Sequence, residues 1–168
     1  MRLFMRTERG TTRIAFVGDE RTIKVPSCWY CRAQRFSEGW YANQLEARFS
    51  PQLRGIVVPT RSLCGGLFVV QPTTQDISFP PNSRIINPIE VAFREAIGDG
   101  DRLRGMVVIG RTSNASHTFE KPCNFGILDG NLLFRDFGSP GVIALLLRHC
   151  DAIQKAFAEL LEAAQVIE

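Results

Sequence analysis

One stretch constrains this chain more than any other. After Ser139 and Pro140, positions 142, 145, 146, 149, 153, 156, 157, 160 and 164 recur on a single helical stripe, spanning about six turns at 3.6 residues each. All of them except His149 are apolar, while Asp151, Gln154, Lys155, Glu159 and Glu162 fall mostly off the stripe. Ser139 stands at the cap position and Pro140 suits a first helical turn. A stripe of that length must be buried against another layer. The segments upstream supply that layer, because most of them read as strands.

Arg2–Thr7 is the first strand candidate, and Arg13–Val17 with Thr22–Val25 form a hairpin around Gly18-Asp19-Glu20-Arg21. Ser37–Phe49 reads as a helix with Tyr41, Leu45 and Phe49 on one stripe and Trp40 beside them; Pro51 closes it. Gly55–Val58 and Leu67–Val70 are short and wholly apolar, which predicts strands buried on both faces. The proline-rich stretch from Gln71 to Arg84 predicts a loop or lid. A second helix starts at Asn87 with Pro88 and Glu90, carries Ile89, Ala92, Phe93, Ala96 and Ile97 on one face, and stops at Gly98. Gly105–Ile109 reads as a buried strand, and Asp129-Gly130 between Phe125–Leu128 and Asn131–Phe134 is a strong hairpin signal. The expectation is an α+β chain, with α/β as its neighbour. It has a single domain over 1–168, and its mixed sheet packs against two or three helices, the C-terminal one long.

Composition sets limits on function. With 168 residues, 45% of them hydrophobic, the chain can bury a core without metal or disulfide and is no disordered tail. The 20 basic and 17 acidic residues are spread along the chain, so nucleic acid is not indicated, although Arg2, Arg6, Arg9 and Arg13 enrich the start. Met1–Gly10 carries four charges and no signal-like apolar core, and Val142–Leu147 is too short an apolar run to span a bilayer. A soluble, cytoplasmic chain with no membrane partner is expected. Its five cysteines are odd in number and irregularly spaced, which predicts free thiols. No cofactor is implied.

Cys28-Trp29-Tyr30-Cys31 is the most conspicuous motif. Its two thiols can share a zinc ion or form a redox disulfide, or can be ordinary cysteines in a Trp/Tyr packing cluster. Cys64, His117, Cys123, His149 and Cys150 are available as further ligands, but no second paired motif exists. The motif ahead of a helix, with Pro59-Thr60 after Gly55–Val58, resembles thioredoxin-like proteins, although the strand that family needs between them is missing.

A polar run, Gly110-Arg111-Thr112-Ser113-Asn114-Ala115-Ser116-His117, leaves the Gly105–Ile109 segment, and Thr60-Arg61-Ser62-Leu63-Cys64-Gly65-Gly66 leaves Gly55–Val58. Ligands in open α/β sheets sit beyond the carboxyl ends of strands. If the two strands are parallel neighbours, Arg61, Ser62, Arg111, Thr112, Ser113, Asn114 and His117 line a cleft for an anionic ligand, with His117 as acid or base. The alternative is two solvated loops. His149, on the apolar stripe, reads as a hydrogen-bonded core or interface histidine.

Pro122-Cys123-Asn124 through Asp129-Gly130, then Gly138-Ser139 and a helix, resembles the C-terminal part of phospholipase D-like domains. That family carries His-x-Lys-x4-Asp. Here Asp129 matches, Pro122 stands at the His position and Asn124 at the Lys position. The resemblance covers about 45 residues and implies a degenerate, non-catalytic copy used for sensing or contacts.

No nucleophile, base or metal set is complete in this sequence. The leading expectation is therefore a non-catalytic binding or regulatory protein that acts through protein contacts, with an unidentified partner or a second copy of itself. Trp29, Tyr30, Trp40 and Tyr41, with Arg32 and Arg35 among them, have the residue types of interface hot spots. The alternatives are an anion-binding protein or hydrolase using the two loops, and a zinc or thiol-redox protein using Cys28 and Cys31.

Overall fold

The Asp19-Glu20 turn starts the fold by short-range chemistry. Gly18 N–H donates to the Arg21 carbonyl at 3.0 Å, closing the turn. The computed structural model describes residues 6–10, 12–27, 33–77 and 122–165. Along them run β1 (Arg6–Arg9), β2 (Arg13–Val17), β3 (Arg21–Pro26), α1 (Ala33–Phe49), β4 (Arg61–Leu63), a 3-10 turn at Cys64–Gly66, and β5 (Phe68–Pro72). They continue with β6 (Phe125–Leu128), β7 (Asn131–Phe134), α2 (Pro140–Arg148) and α3 (Cys150–Gln165). The fold class is α+β. Contacts gather the chain into two compact units, one from the first 54 residues with 58–73, the other from 55–57 with the residues from 74 onward.

The first unit is a five-stranded sheet in the order β1-β2-β3-β5-β4 with α1 against one face. Its ladders are all antiparallel, with Val17 opposite Thr22, Lys24 opposite Val69, and Arg61 opposite Val70. Alternation along β3 and β5 sends Lys24, Val69 and Gln71 toward α1, and Arg21, Ile23, Val70 and Pro72 to the opposite face.

Gly39 sits in the middle of α1, where glycine ordinarily costs about 1 kcal/mol relative to alanine. Here the helix lies so close to the sheet that a Cβ would collide with the Thr12 carbonyl and stand 3.1 Å from Pro26 Cα. Both are backbone atoms and cannot swing aside. Gly39→Ala should therefore destabilise the protein by about 1–3 kcal/mol instead of stabilising it. The midpoint of urea unfolding reads the sign directly, and an upward shift would contradict this account.

The second unit is built on the β6–β7 hairpin. Asp129 (φ 51°) and Gly130 (φ 73°) both adopt the left-handed conformation that a tight two-residue hairpin turn requires. Two single-residue pairings widen this hairpin: Phe134 N–H donates to Ile56 O at 2.9 Å, and Gln75 and Ile127 exchange bonds at 2.9 and 3.0 Å. The bridge between Val57 and Phe134 is parallel. Phe125, Phe134, Phe137, Val142, Leu146, Ile153 and Phe157 form the core.

Several elements differ from the sequence reading. Gly55–Val58 is not a strand, although Ile56, Val57 and Val58 are all buried as expected; it is where the chain passes from one unit to the other and back. β5 alternates, with Phe68 at 36% exposure beside fully buried Val69, so it is not buried on both faces. Its outward residues are apolar too, which hid the period. Gln71, read as the start of a loop, ends up buried within β5. The C-terminal stripe runs through two helices in phase, with a break at His149 (φ −118°, ψ 24°). Periodicity tests phase and not continuity, and no glycine or proline marks the break. The helix at Asn87–Gly98 and the strand at Gly105–Ile109 lie outside the described residues.

Candidate functional site

The first unit carries a buried polar network between α1 and the sheet. Asn43, Glu46 and Ser50 follow one another at helical spacing, and all three are buried. Arg13 Nη2 donates to Glu46 Oε1 at 2.7 Å, and Lys24 Nζ donates to Glu46 Oε2 at 3.1 Å. Arg13 also donates to Asn43 Oδ1 at 3.3 Å, and Asn43 donates to the Gly66 carbonyl at 3.0 Å. Gln71 Nε2 donates to Thr60 Oγ1 at 2.8 Å, Thr60 Oγ1 to the Val58 carbonyl at 2.8 Å, and Thr60 N–H to Ser50 Oγ at 2.8 Å.

Burial by itself would raise the Glu46 carboxyl. The charges of Arg13 and Lys24, and their hydrogen bonds to it, outweigh that and hold it below the ordinary carboxylate value. Two cations around one carboxylate fix how α1 seats on β2, β3 and β5. Tyr41, Leu45 and Phe49 share one stripe in the sequence, and Tyr41 with Trp40 is also an expected interface residue. Leu45 is buried, but Tyr41 is 54% exposed. The signal for the true face was the spacing of Gly39, Asn43, Glu46 and Ser50, which a search for apolar residues passes over.

On the outward side, α1 presents Phe36, Trp40 and Tyr41, all exposed. Trp40 is 42% exposed, yet its indole N–H donates to the Gly65 carbonyl at 2.7 Å. Gln44 Nε2 donates to the same carbonyl at 3.1 Å. The 3-10 turn is thereby tied to the helix, and the exposed Leu63, Leu67 and Phe68 flank that turn in sequence. Arg35 is half-buried on the same helix. Of the expected interface residues, Trp29, Tyr30 and Arg32 lie outside the described residues, as do Cys28 and Cys31. Among the described residues no group of three His, Cys, Asp or Glu side chains can hold a metal ion. Cys64, Cys123 and Cys150 are free thiols.

Arg61 and Ser62, expected in a ligand-lining loop, are exposed and stand on β4, the edge strand. An edge strand pairs on one side only, and all three residues of β4 are exposed, so a polar sequence forms it readily. Alternation sends Arg61 and Ser62 to opposite faces. The expected second wall, Arg111, Thr112, Ser113, Asn114 and His117, lies outside the described residues. A cleft of about 390 Å³ does border Arg61, but its other side is Glu20 and Arg21 at the start of β3, with Pro59, Thr60, Val70, Gln71 and Pro72 between.

Asp129 lies in the exposed hairpin turn, and Pro122 and Asn124 lie in the 3-10 turn Pro122–Asn124 that precedes β6. His149 is half-buried at the break between α2 and α3, its backbone N–H donating to Leu145 O at 3.0 Å. No described helix is long and apolar enough to cross a membrane. The chain matches no protein-family model, no curated protein sequence and no solved structure.

Proposed function

We propose that this chain is a non-catalytic binding protein that works through protein contacts made by the outward face of α1, and that its first partner is a second copy of itself. The observation that carries this reading is Trp40, a large aromatic left 42% exposed while its indole N–H is already committed to Gly65 O. Such a side chain is held in place before any partner arrives, so docking on it costs little ordering. Trp, Tyr and Arg are the residue types enriched among interface hot spots, and this helix offers Trp40, Tyr41 and Arg35 with Phe36 beside them.

Charge supports the choice of a second copy. Arg35 and Glu38, three residues apart on α1, are neighbours of opposite sign on the helix surface. Across a two-fold axis each residue meets its counterpart reciprocally, so a patch holding both signs is complementary to itself.

Sedimentation velocity over a concentration series tests this. The wild-type chain should pass from monomer to dimer, and Tyr41→Glu and Phe36→Glu should each weaken dimerisation by about tenfold or more. Both side chains are exposed, so the variants should fold as the parent does. A parent that stays monomeric throughout, or variants that dimerise equally well, would refute the proposal.

A further inference from the structure

We infer that the cleft over β5 between Arg21 and Arg61 binds a small organic anion, a phosphate ester or carboxylate carried on an apolar body. Arg21 lies opposite Pro72 and Arg61 opposite Val70. Residues 70 and 72 of one strand share a face, so both arginines stand on the face turned away from α1. They flank β5 from either side, separated by two strand spacings, ~10 Å in that direction. That distance lets two long guanidinium side chains converge on one anionic group.

The two arginines differ from others in the fold. Arg13 is bound to Glu46 at 2.7 Å and Arg135 to Asp76 at 2.9 Å. Among the described residues neither Arg21 nor Arg61 has an acidic partner, so both planar forks remain available for bidentate recognition.

Both walls of the cleft are fixed in advance. Thr73 pins the Glu20–Arg21 wall: its N–H donates to Glu20 O at 2.9 Å, its Oγ1 donates to Gly18 O at 2.7 Å, and it lies 3.2 Å from Thr22 Oγ1. Thr60 pins the other wall through Ser50, Val58 and Gln71. A prearranged site avoids the ordering cost of binding. Val70, Pro72 and Pro59 give the cleft an apolar surface, and its volume of about 390 Å³ suits a small molecule. Glu20 adds a carboxylate at the cleft. It disfavours polyanions and can accept a hydrogen bond from a hydroxyl or amine next to the bound anionic group.

The test is an amide-resolved NMR titration of the whole chain with phenyl phosphate, benzoate and, as the uncharged control, benzyl alcohol. Shifts should concentrate at Arg21, Thr60, Arg61, Val70 and Gln71 with at least one anion and be absent with the alcohol. Binding of phenyl phosphate only, or of benzoate only, supports the site and assigns its anion class. Arg21→Gln and Arg61→Gln should each weaken that binding about tenfold, the loss expected for one charge-assisted contact, and Arg61→Lys should recover part of it. Arg48→Gln, on α1 outside the cleft, should bind as the parent does. The site is disproved by the absence of shifts at those amides with both anions, by equal response to the alcohol, or by unchanged affinity in both glutamine variants.

Discussion

Glu46→Gln is expected to cost about 3–5 kcal/mol of folding stability at neutral pH, the range for breaking a buried ion pair by removing one of its members. The substitution keeps the shape of the side chain and removes its charge. Arg13 and Lys24, at 8% and 7% exposure, both lose the charge of the Glu46 carboxylate that they contact. Chemical denaturation of parent and variant measures the difference. A loss below about 1 kcal/mol, the range of exposed pairs, would mean that water reaches the cluster.

The same residue sets an acid limb. Glu46 is held below its ordinary value in the folded chain, so the folded state binds its proton less readily than the unfolded state does. Its contribution is fully present above the unfolded value, about 4.3, and is lost as pH falls from there through the folded value. The parent should lose stability over that range, and Glu46→Gln should show a flatter limb, the two curves converging as pH falls. Replacing all three charges, with Arg13→Met, Lys24→Met and Glu46→Leu together, should recover much of the loss, because apolar packing often equals or exceeds a buried ion cluster.

In the second unit the largest effect is expected from Phe125→Ala. The Phe125 ring is fully buried, tilted by 36° against Phe134 at 4.6 Å and edge-on at 5.9 Å to Phe157. Truncation removes both aromatic contacts and opens a cavity, for about 3–5 kcal/mol. For a chain of this size that lowers the melting temperature by roughly 10 °C. Phe125→Leu, which refills much of the volume, should cost less. Calorimetry on the two variants separates cavity from chemistry, and equal losses would argue against the cavity explanation.

The amino-acid sequence by itself determined the local units. Gly18–Arg21 and Asp129-Gly130 specify their hairpins because turn geometry acts between covalent neighbours. The C-terminal stripe specifies helix because its period is a property of adjacent turns. It also determined that residues 56–58 are buried, since their apolar surface has to leave water wherever the chain runs. Only the tertiary structure decided the rest. Glu46 meets Arg13 across 33 residues of sequence and Lys24 across 22. Arg21 joins Arg61 only because β3 and β4 both pair with β5, in registers that put both on one face. No local signal encodes such a meeting, because the partner of a strand is chosen by the packing of the whole unit and a one-residue change of register would turn either arginine to the other face.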